Sequence, residues 1–289
     1  MKQPFARRGY GLRACGAFGS EYINDFIMKI KEITDVIERF ARLEWQEGYD
    51  NAGLIVGRPD DQVHAALVAV DVTEEVLDEA EREGCDMVIA HHPILFHPLK
   101  RFNSADAVQR CVERAIRRGI ALYACHTNLD SAPEGMSRML GNLLGLRNMR
   151  VLDPSAKGIP GAGFGVVGEP EREMPTIEFL QQVRDKLSVR CMRYSNPRRP
   201  TVRRVALCTG AGASLAGAAR DAGADVYLSA DFKYNDFLDA DRDLVIADIG
   251  HFESEYCAID LIHDIIRKKI PTFALHKSTR SVNPVNYLI

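Results

Sequence analysis

Four of the eight histidines directly follow short apolar segments that have the composition of buried strands. These histidines are His91, His92, His126 and His251. In open α/β sheets, ligands bind beyond the carboxyl ends of the strands, where the connecting loops converge. We therefore predict that these four imidazoles, which come from three distant segments, face one crevice.

Carboxylates follow two of these histidines at the same spacing. Asp130 lies four residues after His126, and Glu255 lies four residues after His251. Four residues is about one helical turn, so the histidine and the acid of each pair can share a helix face. Imidazole nitrogen and carboxylate oxygen suit divalent zinc, manganese, iron, cobalt or nickel. The set exceeds what one tetrahedral ion needs, and we predict two ions bridged by a carboxylate and roughly 3.5–4 Å apart.

Each of these histidines, taken singly, is more typical of a hydrogen-bonded residue beside the core. Taken together, a His pair and two His-x-x-x-acid pairs at strand ends favour the metal site. Asp71 also follows a predicted strand, and is a candidate for an outer acid that orients a ligand. Cys125 is predicted to be a small buried residue rather than a nucleophile. The histidines without such acid pairing are His64, His97, His263 and His276.

Two other motifs could contact anions. The turn at 210–213, Gly-Ala-Gly-Ala, is too short for either phosphate-binding fingerprint, but it places backbone N–H groups at a predicted helix start. Lys233 is an alternative phosphate contact, although a surface lysine is the commoner role. A basic loop carries four arginines without interleaved aromatics, and a solvated rim is favoured over a nucleic-acid contact. Those arginines are Arg198, Arg199, Arg203 and Arg204.

Composition limits the class of protein. The 289 residues have a net charge of −3 and 46% hydrophobic residues, as in an ordinary globular protein without a global field for nucleic acid. The seven cysteines form no C-x-x-C, which favours reduced thiols in a cytoplasmic protein. No apolar run approaches the roughly 20 residues of a membrane helix. Residues 1–27 carry basic residues and glycines, as transit peptides do, but a disordered extension or an early start codon is favoured.

Apolar strands and amphipathic helices alternate from residue 30 onward, which predicts an α/β fold with mostly parallel sheets. A turn-rich stretch at 153–165 is predicted to link an N-terminal domain, 28–150, to a C-terminal domain, 151–289. The metal site is expected in the cleft between them. Residues 80–90 also align without gaps on residues 219–229, with a helix-ending glycine and an aspartate in each. Internal duplication and chance similarity of two βαβ units both remain open.

The chain resembles the GTP cyclohydrolase I type 2 family, also called the NGG-interacting-factor-3-like proteins. The resemblance covers about residues 28 to 289, and its motifs occur in the family's order. Asn235 stands where the family often has a histidine, and the large insert that some members carry between the halves is missing. The matching stretches are Tyr49–Gly57, Ala90–Phe96, His126–Asp130, Gly250–Glu255 and Asn283–Pro284.

The resemblance implies a ligand set. One metal ion would be held by His92 and Asp130, and the other by His91 and His251. Glu255 would bridge the two ions. His126 would be a further ligand or an outer contact.

The resemblance also implies an assembly and an activity. Members build a toroidal homohexamer with the metal sites facing an internal cavity. The family name implies hydrolytic opening of the purine ring of GTP, and related nucleotide or phosphoester hydrolysis would suit a two-metal site equally. The alternative is a metal-binding interaction or metallochaperone-like protein without its own chemistry.

Overall fold

The computed structural model describes residues 27–154, 158–197, 199–240 and 244–288. Residues 1–26 of the predicted extension, residues 155–157 of the predicted linker and Arg198 of the basic loop lie outside the described residues. Within the described ranges, none of the helices is long and apolar enough to cross a membrane.

The first half of the chain alternates strands and helices as predicted. Its strands are β1 (Met28–Lys29), β2 (Gly53–Val56), β3 (Gln62–Val63), β4 (Ala65–Ala69), β5 (Met87–Ala90) and β6 (Ala121–Ala124). Its helices are α1 (Ile30–Phe40), α2 (Glu74–Arg82), α3 (Ala107–Arg118), α4 (Thr127–Asp130) and α5 (Met136–Leu144).

The second half continues the alternation with shorter elements. Its strands are β7 (Arg147–Pro154), β8 (Gly163–Glu169), β9 (Met174–Pro175), β10 (Arg193–Tyr194), β11 (Thr201–Val202), β12 (Val205–Leu207), β13 (Val226–Ser229), β14 (Val245–Asp248) and β15 (Ala274–Lys277). Its helices are α6 (Thr176–Lys186), α7 (Ala216–Asp221), α8 (Tyr234–Asp239), α9 (His251–Glu255) and α10 (Cys257–Lys269).

Two sheets organise these elements. The first has the order β15-β4-β5-β6-β2, in which β2 alone runs antiparallel to its neighbour. The second has the order β10-β14-β13-β12-β8-β7, with β12, β13 and β14 parallel. Every residue of β4, β5 and β6 is buried, as is usual for parallel strands covered on both faces. The α/β prediction is confirmed, and the second sheet is mixed rather than mostly parallel.

Four strands of each sheet share one arrangement. In the first, β4, β5 and β6 are parallel, and the earlier strand β2 pairs antiparallel with β6. In the second, β12, β13 and β14 are parallel, and the earlier strand β10 pairs antiparallel with β14. A short helix that starts beside a histidine then follows each third strand, α4 after β6 and α9 after β14. This repeated order supports duplication over chance similarity.

The sheets do not follow the predicted domain boundary at 150/151. Strand β7 begins at Arg147 and pairs with β8, so the turn-rich stretch at 153–165 joins two strands of one sheet instead of two domains. Strand β15 returns to the first sheet and pairs in parallel with β4. Strand pairing therefore extends across residue 150, and the last strand of the chain belongs to the first sheet.

The C-terminal residues are fixed to the first half by a buried carboxylate. Glu79 is 3% exposed and accepts hydrogen bonds from Ser278 Oγ at 2.5 Å, from Thr279 N at 3.0 Å and from Arg280 N at 3.2 Å. Burial raises the pKa of Glu79, but these hydrogen bonds outweigh it and the pKa is lowered. The contact holds the segment that continues to Tyr287.

We expect Glu79→Ala to lower the free energy of unfolding by about 2 kcal/mol, because buried donors lose their acceptor. That corresponds to a fall in Tm of roughly 4–8 °C for a chain of this size. Glu79→Gln keeps one acceptor oxygen and should lose less. Because the pKa is lowered on folding, the contribution is present at pH 7 and declines as pH falls below the ordinary value near 4.5. Equal melting temperatures for the alanine variant and the wild type at pH 7 would contradict this.

Candidate metal centre

The ends of strands from both sheets position the candidate ligands. His91 and His92 directly follow β5, and their backbone N–H groups donate to the carbonyls of Ala69 and Val70 at the end of β4. His126 follows β6 and begins the turn that carries Asp130 on α4. His251 and Glu255 are the first and last residues of α9. The structure thus brings all six predicted residues together.

Glu255 lies at the centre of the group and is 3% exposed. Its Oε2 atom is 2.9 Å from Nε2 of His92 and 2.9 Å from Nε2 of His251. Its Oε1 atom is 3.7 Å from Nε2 of His91. Nε2 of His91 is also 3.9 Å from Oδ1 of Asp130. One carboxylate therefore faces three imidazoles, with one oxygen toward each side.

The other ring nitrogen of each histidine is held by an oxygen of the protein. The Nδ1 atom of His91 lies 2.8 Å from the Cys125 carbonyl oxygen, and that of His92 lies 2.8 Å from Asp71. The Nδ1 atom of His126 lies 2.7 Å from Asp50, and that of His251 lies 2.7 Å from Asp231. An acceptor at Nδ1 fixes the ring and places its proton there, which leaves Nε2 with a free lone pair. All four rings are thus oriented with Nε2 available to a metal ion once any proton on that atom has left.

The geometry fits divalent cations. Nε2 of His91 is completely buried and has no hydrogen-bond partner. Its nearest carboxylate oxygens, at 3.7 and 3.9 Å, are too far for a hydrogen bond, but two metal–ligand bonds of about 2.0–2.2 Å would span them. Nε2 of His92 and of His251 point lone pairs at Oε2 of Glu255, an arrangement that requires a proton or a metal ion between them. The residues therefore suit metal ions.

The residues whose ligand atoms lie close together are not the pairs that the resemblance implies. His91, Asp130 and Glu255 have ligand atoms within 4.8 Å of one another, and so do His92, His251 and Glu255. His91 is thus grouped with Asp130, and His92 with His251, the reverse of the expected assignment. The two consecutive rings reach different oxygens of Glu255, His91 toward Oε1 and His92 toward Oε2.

His126 belongs to a third group with His91 and His92, whose ligand atoms also lie within 4.8 Å. Its ring centroid is 5.4 Å from that of each of these two histidines. Glu255 is absent from this group, so His126 lies beside the two groups that contain Glu255.

Mutual electrostatics keep the cluster ionised. Burial lowers the pKa of His92, but the carboxylates of Asp71 and Glu255 outweigh it and raise the pKa to about 10. The hydrogen bond to Glu255 raises the pKa of His251 to about 9. The surrounding imidazoles hold the pKa of Glu255 well below its ordinary value despite its burial. In metal-free protein a proton therefore occupies the Nε2 atoms of His92 and His251 at neutral pH.

Metal binding at pH 7 is expected to release protons, because a metal ion needs the lone pairs that these protons occupy. Since the pKa values are raised to about 10 and about 9, affinity should increase with pH through neutrality and level off above these values. Calorimetric titration in buffers of different ionisation enthalpy measures the number released, and about two are expected. A binding enthalpy independent of the buffer would contradict this.

Glycine at position 210 makes room for the central carboxylate. A Cβ atom there would lie 2.2 Å from Oε1 of Glu255, and the residue has φ of +63°. The N–H of Gly210 donates to Ser254 Oγ, and the N–H of Gly212 donates to Ser229 Oγ. The N–H groups of Gly210 and Gly212 are therefore already bonded within the protein, and Gly210 packs against Glu255.

A cavity of 390 Å³ opens beside His92 and His251. Its walls include the C-terminal residues Asn283, Pro284, Val285 and Tyr287, which follow the segment fixed by Glu79. The volume is within the range of roughly 300–1,000 Å³ that is typical of small-molecule sites. Lys233, considered as a phosphate contact, is not among the lining residues.

Comparison with known proteins identifies the family of the chain. The sequence profile described as Duf34/NIF3 (NGG1p interacting factor 3) matches residues 28–284. The chain belongs to this family. It is 32% identical over 244 residues to the "GTP cyclohydrolase 1 type 2 homolog" of Clostridium perfringens, covering 84% of this chain and 93% of that protein. The homologue of the same name from Clostridium acetobutylicum is 31% identical over 251 residues, or 86% and 92% of the two chains.

Solved structures of the family share the fold. The Bacillus cereus protein related to NIF3 superposes with a TM-score of 0.85 at 25% identity, covering 91% of this chain and all of that one. Reduced HcgD from Methanocaldococcus jannaschii gives a TM-score of 0.73 at 26% identity, with 87% and 98% coverage. Two similar α/β units are thus the architecture of the family.

Several neighbouring residues have the roles that the sequence predicts. Asp71 orients His92, and the buried thiol of Cys125 has a raised pKa because of its burial, which suits a structural residue. Among the described residues, His64, His97, His263 and His276 are in none of the metal-binding groups.

Sequence reasoning missed two of the anchoring acids, Asp50 and Asp231. Asp50 lies in the family motif 49–57, where its role has no local signal. Asp231 could have been found, because extending the alignment of 80–90 with 219–229 by two residues places it opposite His92.

Proposed function

We propose that this chain is a dinuclear metal-dependent hydrolase. The observation that carries the proposal is the arrangement around Glu255, whose two oxygens face two separate groups of ligands. One position would be formed by His91, Asp130 and Glu255, and the other by His92, His251 and Glu255. Zinc, manganese, iron, cobalt and nickel all suit nitrogen and oxygen ligands.

The side chains around the centre have separable roles in such a reaction. Divalent ions held here would supply hydroxide at neutral pH, since coordination lowers the pKa of water from 15.7 to about 7. The carboxylates of Asp50, Asp71 and Asp231 hold the imidazoles rigid. His126, oriented by Asp50, presents its remaining ring nitrogen beside the bridged positions and is the candidate to accept or return a proton.

Two reactions fit this chemistry. The name of the relatives favours hydrolytic opening of the guanine ring of GTP, in which water adds to C8. Phosphoester hydrolysis is equally suited to two metal positions. The cavity beside His92 and His251 would hold the substrate in either case.

The test is to load the purified protein with each of the five metals, measure metal per chain, and follow turnover of GTP, guanosine and a phosphodiester. Two ions per chain and turnover of one substrate, lost in His91→Ala, are expected. Bound metal without turnover of any substrate would remove the hydrolase. The metal-binding interaction or metallochaperone-like role would then stand. In that case His91→Ala should change the amount of partner protein that is recovered with the chain.

We also propose that the chain forms a homo-oligomer. The family resemblance implies that this oligomer is a hexamer. Exposed apolar side chains near the C-terminus support a contact between copies, because Val282, Val285 and Leu288 are each more than half exposed. Light scattering of the purified protein would give a mass of about six chains, and a monomer would contradict the proposal.

A further inference from the structure

The charges of the cavity beside His92 and His251 differ from those of a polyphosphate site. Four carboxylates line it, whereas Arg193 is the one lysine or arginine among the described lining residues. The carboxylates are Asp71, Asp231, Asp248 and Glu253. Phosphate groups are normally bound by several unpaired basic side chains or free backbone N–H groups.

Arg193 is already engaged by the protein. Its Nη2 atom donates to Asp248 Oδ2 and, at 2.9 Å, to the carbonyl of Phe232. Its guanidinium carbon also lies 5.3 Å from the centre of the Phe237 ring. Asp248 is further fixed by the N–H of Gly250 at 3.1 Å. The positive charge is therefore largely neutralised by Asp248, which weakens the attraction of Arg193 for a phosphate.

Bound metal ions would not reverse the sign of the net charge around the cavity. Two divalent ions would bring four positive charges, against five carboxylates that ligate them or anchor their histidines. These are Asp50, Asp71, Asp130, Asp231 and Glu255. Glu253, whose Oε1 accepts from Asn283 Nδ2 at 3.0 Å, adds another negative charge in the cavity wall. The loaded site stays negative and would repel a triphosphate.

The remaining walls suit an uncharged molecule. Val70, Phe252, Pro284, Val285 and Tyr287 supply apolar and aromatic surface in the same cavity. Apolar walls with a few fixed polar groups are typical of sites for small organic ligands. The paired Asp248 and Arg193 can still exchange hydrogen bonds with amide or hydroxyl groups.

We propose that the substrate of this centre is an uncharged, nucleoside-sized amide or heteroaromatic compound, and that Asp248 and Glu253 exclude nucleoside polyphosphates. The inference rests on the proposed function, because it assigns this cavity to the substrate of the metal centre. It departs from the activity that the name of the relatives indicates. Asp248 and Glu253 are thus specificity-determining residues, which act through charge.

The test measures binding of guanosine, GTP and inorganic pyrophosphate to the zinc-loaded full chain by calorimetry, after its metal content is determined. Guanosine should bind at least about tenfold more tightly than GTP, because the negative charges repel the phosphates. Pyrophosphate should bind as weakly as GTP. Added salt should strengthen GTP binding by screening this repulsion, and leave guanosine binding unchanged.

Variants make the test specific. Asp248→Asn frees Arg193 and removes a charge, so the ratio of GTP affinity to guanosine affinity should increase about tenfold. Glu253→Gln, which keeps an acceptor for Asn283, should give a smaller increase of the same sign. Asp264→Asn on α10, which makes the same charge change outside the cavity, should leave both affinities unchanged.

Tighter binding of GTP than of guanosine to the wild type would overturn the inference. So would an unchanged ratio of affinities in both cavity variants, or no binding of guanosine. These outcomes are independent of turnover. A loaded protein that binds guanosine selectively but hydrolyses nothing would end the hydrolase proposal and leave the selectivity intact.

Discussion

Glu255→Gln is expected to abolish binding at both metal positions. The substitution keeps the size of the side chain, but it removes the charge and replaces one of the two oxygens that face His91, His92 and His251. Losing an outer contact to a ligand commonly costs 10–100-fold in metal affinity, so loss of the shared ligand should cost at least about 100-fold. Metal per chain, measured by mass spectrometry after dialysis, should fall from two toward zero.

Two comparison variants separate a shared ligand from a general loss of structure. Asp130→Asn removes a ligand of the His91 position alone, and one ion per chain should remain. Glu253→Gln makes the same chemical change on the same helix, but Glu253 is in none of the metal-binding groups, so two ions should remain. Retention of two ions by Glu255→Gln would show that Glu255 does not bridge.

Gly210→Ala is expected to damage both folding and metal binding. The added Cβ would meet Oε1 of Glu255 at 2.2 Å and its Cδ at 3.2 Å, at a backbone φ of +63°. The left-handed conformation costs roughly 1–2 kcal/mol and the overlap typically another 1–3 kcal/mol. We expect a loss of about 4 kcal/mol in the free energy of unfolding, a fall in Tm of roughly 8–16 °C, and weaker binding at both positions.

Gly217 provides the matched control. It lies in α7, where an added Cβ would meet nothing within 4 Å. Alanine is the better helix former, so Gly217→Ala should be neutral or stabilise the protein by up to about 1 kcal/mol. Chemical denaturation of both variants measures the difference. Equal stability of the two variants would mean that the space at position 210 is not needed for Glu255.

The central strands could be predicted because they are continuous apolar segments. The apolar segments at 87–90 and 226–229 form β5 and β13. These strands are buried on both faces, so their composition alone distinguishes them from the surrounding loops.

The outer strands could not be predicted in the same way. In β15, three of four residues are exposed, and its partner β4 is about 200 residues earlier in the chain. In β7, only Leu152 is buried, which removes the apolar signal of a strand. Such strands are specified by pairing with a distant neighbour, and this information is absent from their own composition.

The ligand set could be anticipated, whereas its internal pairing could not. The spacing of His126 with Asp130, and of His251 with Glu255, repeats in equivalent helices and is visible in the sequence. Which ring reaches which oxygen of Glu255 depends on contacts such as that of His91 with the Cys125 carbonyl. Such contacts are set by the packing of strands, so only the fold reveals them.

Anomalous diffraction from crystals of the metal-loaded protein, collected on both sides of the absorption edge of the metal, tests the bridged centre most directly. We expect two peaks per chain, one among His91, Asp130 and Glu255 and the other among His92, His251 and Glu255, with a separation of roughly 3.5–4 Å. A single peak, or peaks remote from Glu255, would contradict a pair of metal ions bridged by this carboxylate.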